Sequence, residues 1–233
     1  MRKEKTIGWL LIAGAVGVLI PYSILTIIFD YPDILRQNTS IILTKFHEGG
    51  NELIWTWFFF ALIGLPLIPA YILIGQKFEN KAPLVRMATT IGVIGLIVQM
   101  IGLLRWTFVV PVLADSFVHA TDEATKAAVI VSFKTVHQFG GVILGEHLGQ
   151  LFTIAWTVMM TISFANLKLL PKWVNWLGII SSVIYLMAQA ELFATVIKGF
   201  PVWDMAGFIG STLWLIWLII VGVMFIKKRN QNL

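Results

Sequence analysis

Across 233 residues, 58% of the side chains are hydrophobic and 12% are charged, about half the charged share of an ordinary soluble domain, so the chain is expected to be an integral membrane protein. Its net charge of +5 sits beside apolar runs, where basic residues report orientation and attraction to anionic headgroups; a nucleic-acid partner is not expected. With no cysteine, disulfides, thiolate metal sites, iron–sulfur clusters and cysteine nucleophiles are all excluded.

In chain order, Met1-Arg2-Lys3-Glu4-Lys5 precedes an apolar run without a small-x-small cleavage pattern, which reads as a first span and not a removed leader. Six apolar stretches follow the chain, at 7–29, 53–75, 87–114, 139–165, 173–197 and 205–226, each at least as long as the roughly 20 residues a helix needs to cross a bilayer core. The expected fold is all-α, a single six-helix transmembrane domain over 1–233 with amphipathic segments on its outer side. The lipid bilayer is its first partner, and six spans suit a monomer or a homo-oligomer equally.

Lysines and arginines set the orientation. Arg2, Lys3, Lys5, Lys77, Lys81, Arg86, Lys168, Lys172, Lys227, Lys228 and Arg229 fall on one side, against Arg36, Lys45, Lys126, Lys134 and Lys198 on the other. The first side should face the cytoplasm of a cell membrane, together with both termini. Its two connecting turns are short, basic and marked by Pro83 and Pro171.

The outer connections are longer. In 30–52, Ile34, Leu35, Ile41, Ile42 and Phe46 recur at near-helical spacing, as in an amphipathic helix at the interface. In 115–138, a helix start is expected at Thr121, with Asp122 and Glu123 in its first turn, an amphipathic run over 127–136, and a bend at Gly140-Gly141. Such segments either cover loop backbone or close as a lid over an outward-facing site. Pro66 and Pro69 should kink the second span, and tryptophans including Trp55, Trp57, Trp173, Trp176 and Trp203 are expected as interface anchors.

Polar residues inside apolar runs are the candidate functional residues, because burying them in lipid costs several kcal/mol unless they find partners. Arg105 lies near the outer end of the third span, and Glu191 near the outer end of the fifth. Glu146 and His147 lie roughly 10 to 12 Å below the outer end of the fourth. These residues and Gln150, one turn past Glu146, are expected to line a polar cavity in the outer half of the bundle, with Arg105 as the cation between Glu146 and Glu191. Gln99 and Gln189 extend the set, and Gly141, Gly145 and Gly149 form a small-residue ridge for close helix approach. The same three charges would also serve as a purely structural network.

Metal chemistry has weaker support. His47, His119, His137 and His147, with Glu48, Glu52, Asp115 and Glu146, offer nitrogen and oxygen donors suited to zinc, but no pair has a diagnostic spacing. Haem held by two histidines would need a second one inside a span. No P-loop, dinucleotide fingerprint or nucleophile elbow is present.

Leu104-Arg105-Trp106 with Val109-Val110-Pro111-Val112-Leu113-Ala114, then Leu144-Gly145-Glu146-His147-Leu148-Gly149-Gln150-Leu151-Phe152, then Pro171-Lys172-Trp173 with Trp176-Leu177-Gly178, resemble a bacterial and archaeal family of small multi-helix membrane proteins catalogued as a domain of unknown function. The resemblance covers the chain from the third span onward and implies a fold and an envelope location, with no mechanism attached. Three readings of function follow: binding or passage of a small molecule or ion through an outward-facing polar cavity; a membrane-embedded metal-dependent enzyme acting on a lipid-like substrate; or a structural or sensory subunit whose polar cluster only fixes packing.

Overall fold

Long apolar runs with few helix breakers satisfy their own backbone hydrogen bonds, which is the condition for a chain to cross lipid as helices. The computed structural model describes residues 2–227 and contains no strand among them. Lys228 and Arg229, two of the orienting charges, lie outside the described residues.

Ten α-helices follow in order: α1 (Arg2–Phe29), α2 (Thr39–Leu62), α3 (Leu67–Phe78), α4 (Leu84–Phe108), α5 (Val110–Val118), α6 (Glu123–Val136), α7 (Gly149–Asn166), α8 (Lys172–Met187), α9 (Gln189–Ala194) and α10 (Ala206–Lys227). A 3-10 turn covers Asp33–Arg36, and a π-helix, His137–Leu148, joins α6 to α7. Taken together, six helical stretches are long and apolar enough to span a membrane: Lys3–Phe29, Thr39–Phe78, Leu84–Val118, Glu123–Asn166, Lys172–Ala194 and Ala206–Lys227. The chain is a multi-pass, all-α membrane protein.

Several local details differ from the sequence expectation. At the expected bend, Gly140-Gly141, the chain passes through the π-helix, whose wider turn keeps the backbone hydrogen-bonded. The start of α6 is capped by Asp122 and not Thr121: the Asp122 carboxylate accepts from the backbone N–H and the hydroxyl of Thr125, at 2.8 and 2.7 Å. Those two bonds hold its carboxyl below the usual carboxylate range. The bend in the first half of α2 comes from Gly50, whose φ of 52° and ψ of −145° suit only glycine. Pro66 ends the turn between α2 and α3, as expected of the second span.

The chain divides into two compact units, and the cuts fall inside α1, in the turn between α2 and α3, inside α4 and inside the π-helix. One unit comprises 1–17, 64–97 and 147–233. Its core stacks Trp156 on Tyr71, with ring centroids 3.7 Å apart, and sets Trp217 edge-on to Trp156. Gly92 makes this stack fit, since a β-carbon there would lie 2.4 Å from the Trp156 ring. Hydroxyls in these apolar helices are returned to the helix that carries them: Thr157 donates to the Thr153 carbonyl, Ser163 to Met159 and Ser182 to Gly178.

The other unit comprises 18–63 and 98–146. Here Trp57 stacks on Trp106 at 4.8 Å with 12° between the planes, and Phe29 and Phe46 pack against them. Trp57 is therefore a core residue and not an interface anchor; it is fully buried, whereas Trp55 is 58% exposed. The segment between the first and second spans is amphipathic as its spacing predicts, with Ile34, Ile42 and Phe46 buried and Ile41 exposed. Val129 and Phe133, one turn apart, are the buried stripe of α6.

Candidate functional site

Arg105 is the most buried charge named from the sequence, at 7% exposure, and α4 carries it in its last turn. A buried guanidinium has five N–H donors to place. It donates from Nη1 to the carbonyl of Gly102, one turn back, and from Nη2 to Nδ1 of His137 at 3.5 Å. Its face lies over the neighbouring Trp106 ring, with the guanidinium carbon 5.1 Å from the centroid. The carboxylate of Glu146, on the π-helix of the same unit, acts on it through charge.

The glycine pair explains how so large a cation fits. A β-carbon on Gly141 would lie 2.5 Å from Arg105 Nη2, and one on Gly140 would lie 3.3 Å from Arg105 Cδ. The pair is thus a flat shelf for the side chain. Farther along, Gly102 of α4 meets Gly145 of the π-helix so closely that a β-carbon on Gly102 would come within 2.6 Å of both the Gly140 oxygen and Gly145 Cα. Of the ridge expected from Gly141, Gly145 and Gly149, Gly145 lies against Gly102 of α4 and Gly141 against the Arg105 guanidinium.

His137 is the partner that sequence reasoning missed. Because arginine only donates, His137 Nδ1 must accept, which places the ring proton on Nε2. The ring is stacked on Phe133 at 5.5 Å. The signal was a histidine shortly before a glycine pair, a sequence also compatible with a simple bend.

His137 also lines a cavity of about 630 Å³ in this unit. Gln37, Thr39, Lys134, Thr135 and Gln138 supply its other polar groups; Leu35, Ile42, Phe133, Phe139 and Ile143 supply an apolar wall. One cation and several donors face it with no carboxylate among the lining residues, an arrangement suited to a ligand with an apolar body and an anionic or carbonyl head.

His147, Gln150, Gln189 and Glu191 belong to the other unit. His147 and Gln189 pair at 2.6 Å between Nδ1 and Oε1, and Gln189 Nε2 donates to Gln150 Oε1 at 2.6 Å. With the amide oxygen as acceptor, His147 carries its proton on Nδ1, leaving Nε2 as the ring acceptor. Gln189, 6% exposed, is the bridge of this relay. Glu191 follows it on α9. Arg105 and Glu146 therefore fall in one unit, and His147, Gln150 and Glu191 in the other.

No curated protein and no solved structure matches the chain. The profile of one protein family matches residues 6–222, nearly the whole length, so the chain belongs to the family described as a domain of unknown function (DUF4386).

Proposed function

We propose that this protein binds, or passes, a small amphiphilic molecule with an anionic or carbonyl head. The observation that carries the reading is the 630 Å³ cavity of the second unit, where His137 is at once a wall of the cavity and the hydrogen-bond partner of the buried Arg105. The Nε2–H of His137 and the ammonium of Lys134 would meet the head, and Ile143 and Phe139 the apolar body. Arg105, charge-balanced by Glu146, would fix His137 in its donor tautomer. In the other unit, His147, Gln150 and Glu191 supply polar groups able to meet a ligand or ion during passage.

Binding of a dansyl-labelled medium-chain fatty acid to the protein in lipid nanodiscs tests the cavity. One saturable site per chain is expected, weakened at least tenfold by Ile143→Trp, which fills the cavity, and by Lys134→Glu, which reverses its cation. Binding no greater than to empty nanodiscs, or unchanged in both variants, would overturn the reading.

The excess of lysine and arginine at the termini and on the connections 76–86 and 166–172, eleven against five on the opposite side, supports a cell-membrane topology with both termini in the cytoplasm. The natural absence of cysteine makes the test direct. A single cysteine replacing Asn80 should react with a membrane-impermeant maleimide only after the cells are permeabilised, and one replacing Thr121 should react on intact cells. The opposite pattern would invert the topology.

A further inference from the structure

His47, Asp115 and His119 come together on the second unit, away from the groups lining the cavity. His47 lies on α2 before the Gly50 bend; Asp115 is on α5, and His119 is its C-terminal cap residue. One ligand atom from each lies within 4.8 Å of the other two. The imidazoles of His47 and His119 meet edge to face, with centroids 5.5 Å apart. His119 Nδ1 is 3.0 Å from the carbonyl oxygen of Asp115 and 3.2 Å from its Oδ1.

We infer that His47, His119 and Asp115 form a binding site for a divalent transition metal of the zinc type. Two imidazoles and one carboxylate are the donor set that such borderline ions prefer, and three protein ligands leave a coordination position open to water. Donors bound to one tetrahedral zinc at about 2.0 to 2.1 Å are separated by roughly 3.3 Å. Separations of up to 4.8 Å thus need to close by as much as about 1.5 Å. Asp115 and His119 are exposed and His47 is partly so, so side-chain rotation alone supplies that movement. Contact of His119 Nδ1–H with the Asp115 carbonyl is the outer-shell arrangement that fixes a ligating ring and leaves the Nε2 lone pair for a metal.

Local sequence by itself gives little reason for this grouping. A histidine at a helix C-terminus suits the helix dipole, and Asp115 one turn back is its i,i+4 ion-pair partner, but a second imidazole from a distant part of the chain is not explained this way. Residues 47 and 119 are brought together because α2 and α5 pack on each other. A metal there would fasten these two helices at one end.

The test uses full-length protein purified in mild detergent through an affinity tag without histidine. Zn²⁺ is titrated against a chromophoric chelator, and Co²⁺ is added as a spectroscopic stand-in. The expected result is one equivalent per chain, a visible Co²⁺ band of tetrahedral type, and a rise in melting temperature with added Zn²⁺. His47→Ala and His119→Ala should each weaken Zn²⁺ binding at least tenfold with helical circular dichroism unchanged, while His137→Ala should retain it. No stoichiometric uptake by the wild-type protein would overturn the proposal. So would uptake unchanged in the His47→Ala/His119→Ala double variant.

Discussion

Replacing Arg105 by alanine should lower the unfolding free energy by about 3 kcal/mol, the scale for breaking a buried charged pair and leaving its partner behind. Three losses coincide. The Gly102 carbonyl and His137 Nδ1 lose their donors, the shelf at Gly140 and Gly141 becomes a void, and Glu146 loses the cation that balances it. Arg105→Met separates these contributions, because it refills much of the space without charge or donors. If packing dominated, Met would recover most of the loss; the Gly102, His137 and Glu146 partners predict that it recovers less than half. Arg105→Lys should fall between, since one ammonium cannot place donors as a planar fork does. The measurement is denaturant unfolding in mixed micelles, followed by near-ultraviolet circular dichroism. A cost below about 1 kcal/mol, the range of an exposed ion pair, would mean that Arg105 does not organise this unit.

Gly102→Ala should be strongly damaging in the second unit, at about 2 kcal/mol, within the range for overpacking. The added carbon would meet the Gly140 oxygen and Gly145 Cα at 2.6 Å. Both are backbone atoms, so no rotamer change relieves the contact and α4 must move off the π-helix. A gain of up to about 1 kcal/mol from alanine's better helix propensity works against this, but the backbone clash decides the sign. Gly141→Ala meets only the far end of Arg105 and should cost less. Gly64, with nothing within 4 Å of an added carbon, is the control, and Gly64→Ala should be neutral. Because Gly102 also accepts from Arg105 through its carbonyl, its substitution should be non-additive with Arg105→Ala. Additive losses would indicate two independent features.

The number of spans was legible because it depends only on composition over some 20 residues, and the amphipathic outer segments because their apolar residues repeat with the helical period. Arg105 and Glu146 were found for a related reason: a charge in hydrocarbon needs a partner. Which partner was less accessible. His137 looked like a loop residue, since its role depends on a π-turn that no local pattern announces, and Gly140-Gly141 reads equally as a bend or as a shelf. The Gln189 bridge was partly legible, as a buried amide on an apolar helix, but its pairing with His147 and Gln150 is set by tertiary packing. Trp57 and Trp55 are two positions apart with identical side chains, and only the fold determines which one is buried.

That division among the tryptophans gives the protein its own optical labels. Trp57 and Trp106, nearly parallel and 4.8 Å apart, are close enough for their excited states to mix, and the Arg105 cation lies over the second ring. Trp9, Trp55, Trp173 and Trp176, each more than half exposed, belong to the surface available to lipid. Light absorbed by the first pair reports on the interior around Arg105, while quenchers dissolved in the acyl chains reach the second group, so a protein without any attached dye distinguishes an event in its core from one at its lipid-facing skin.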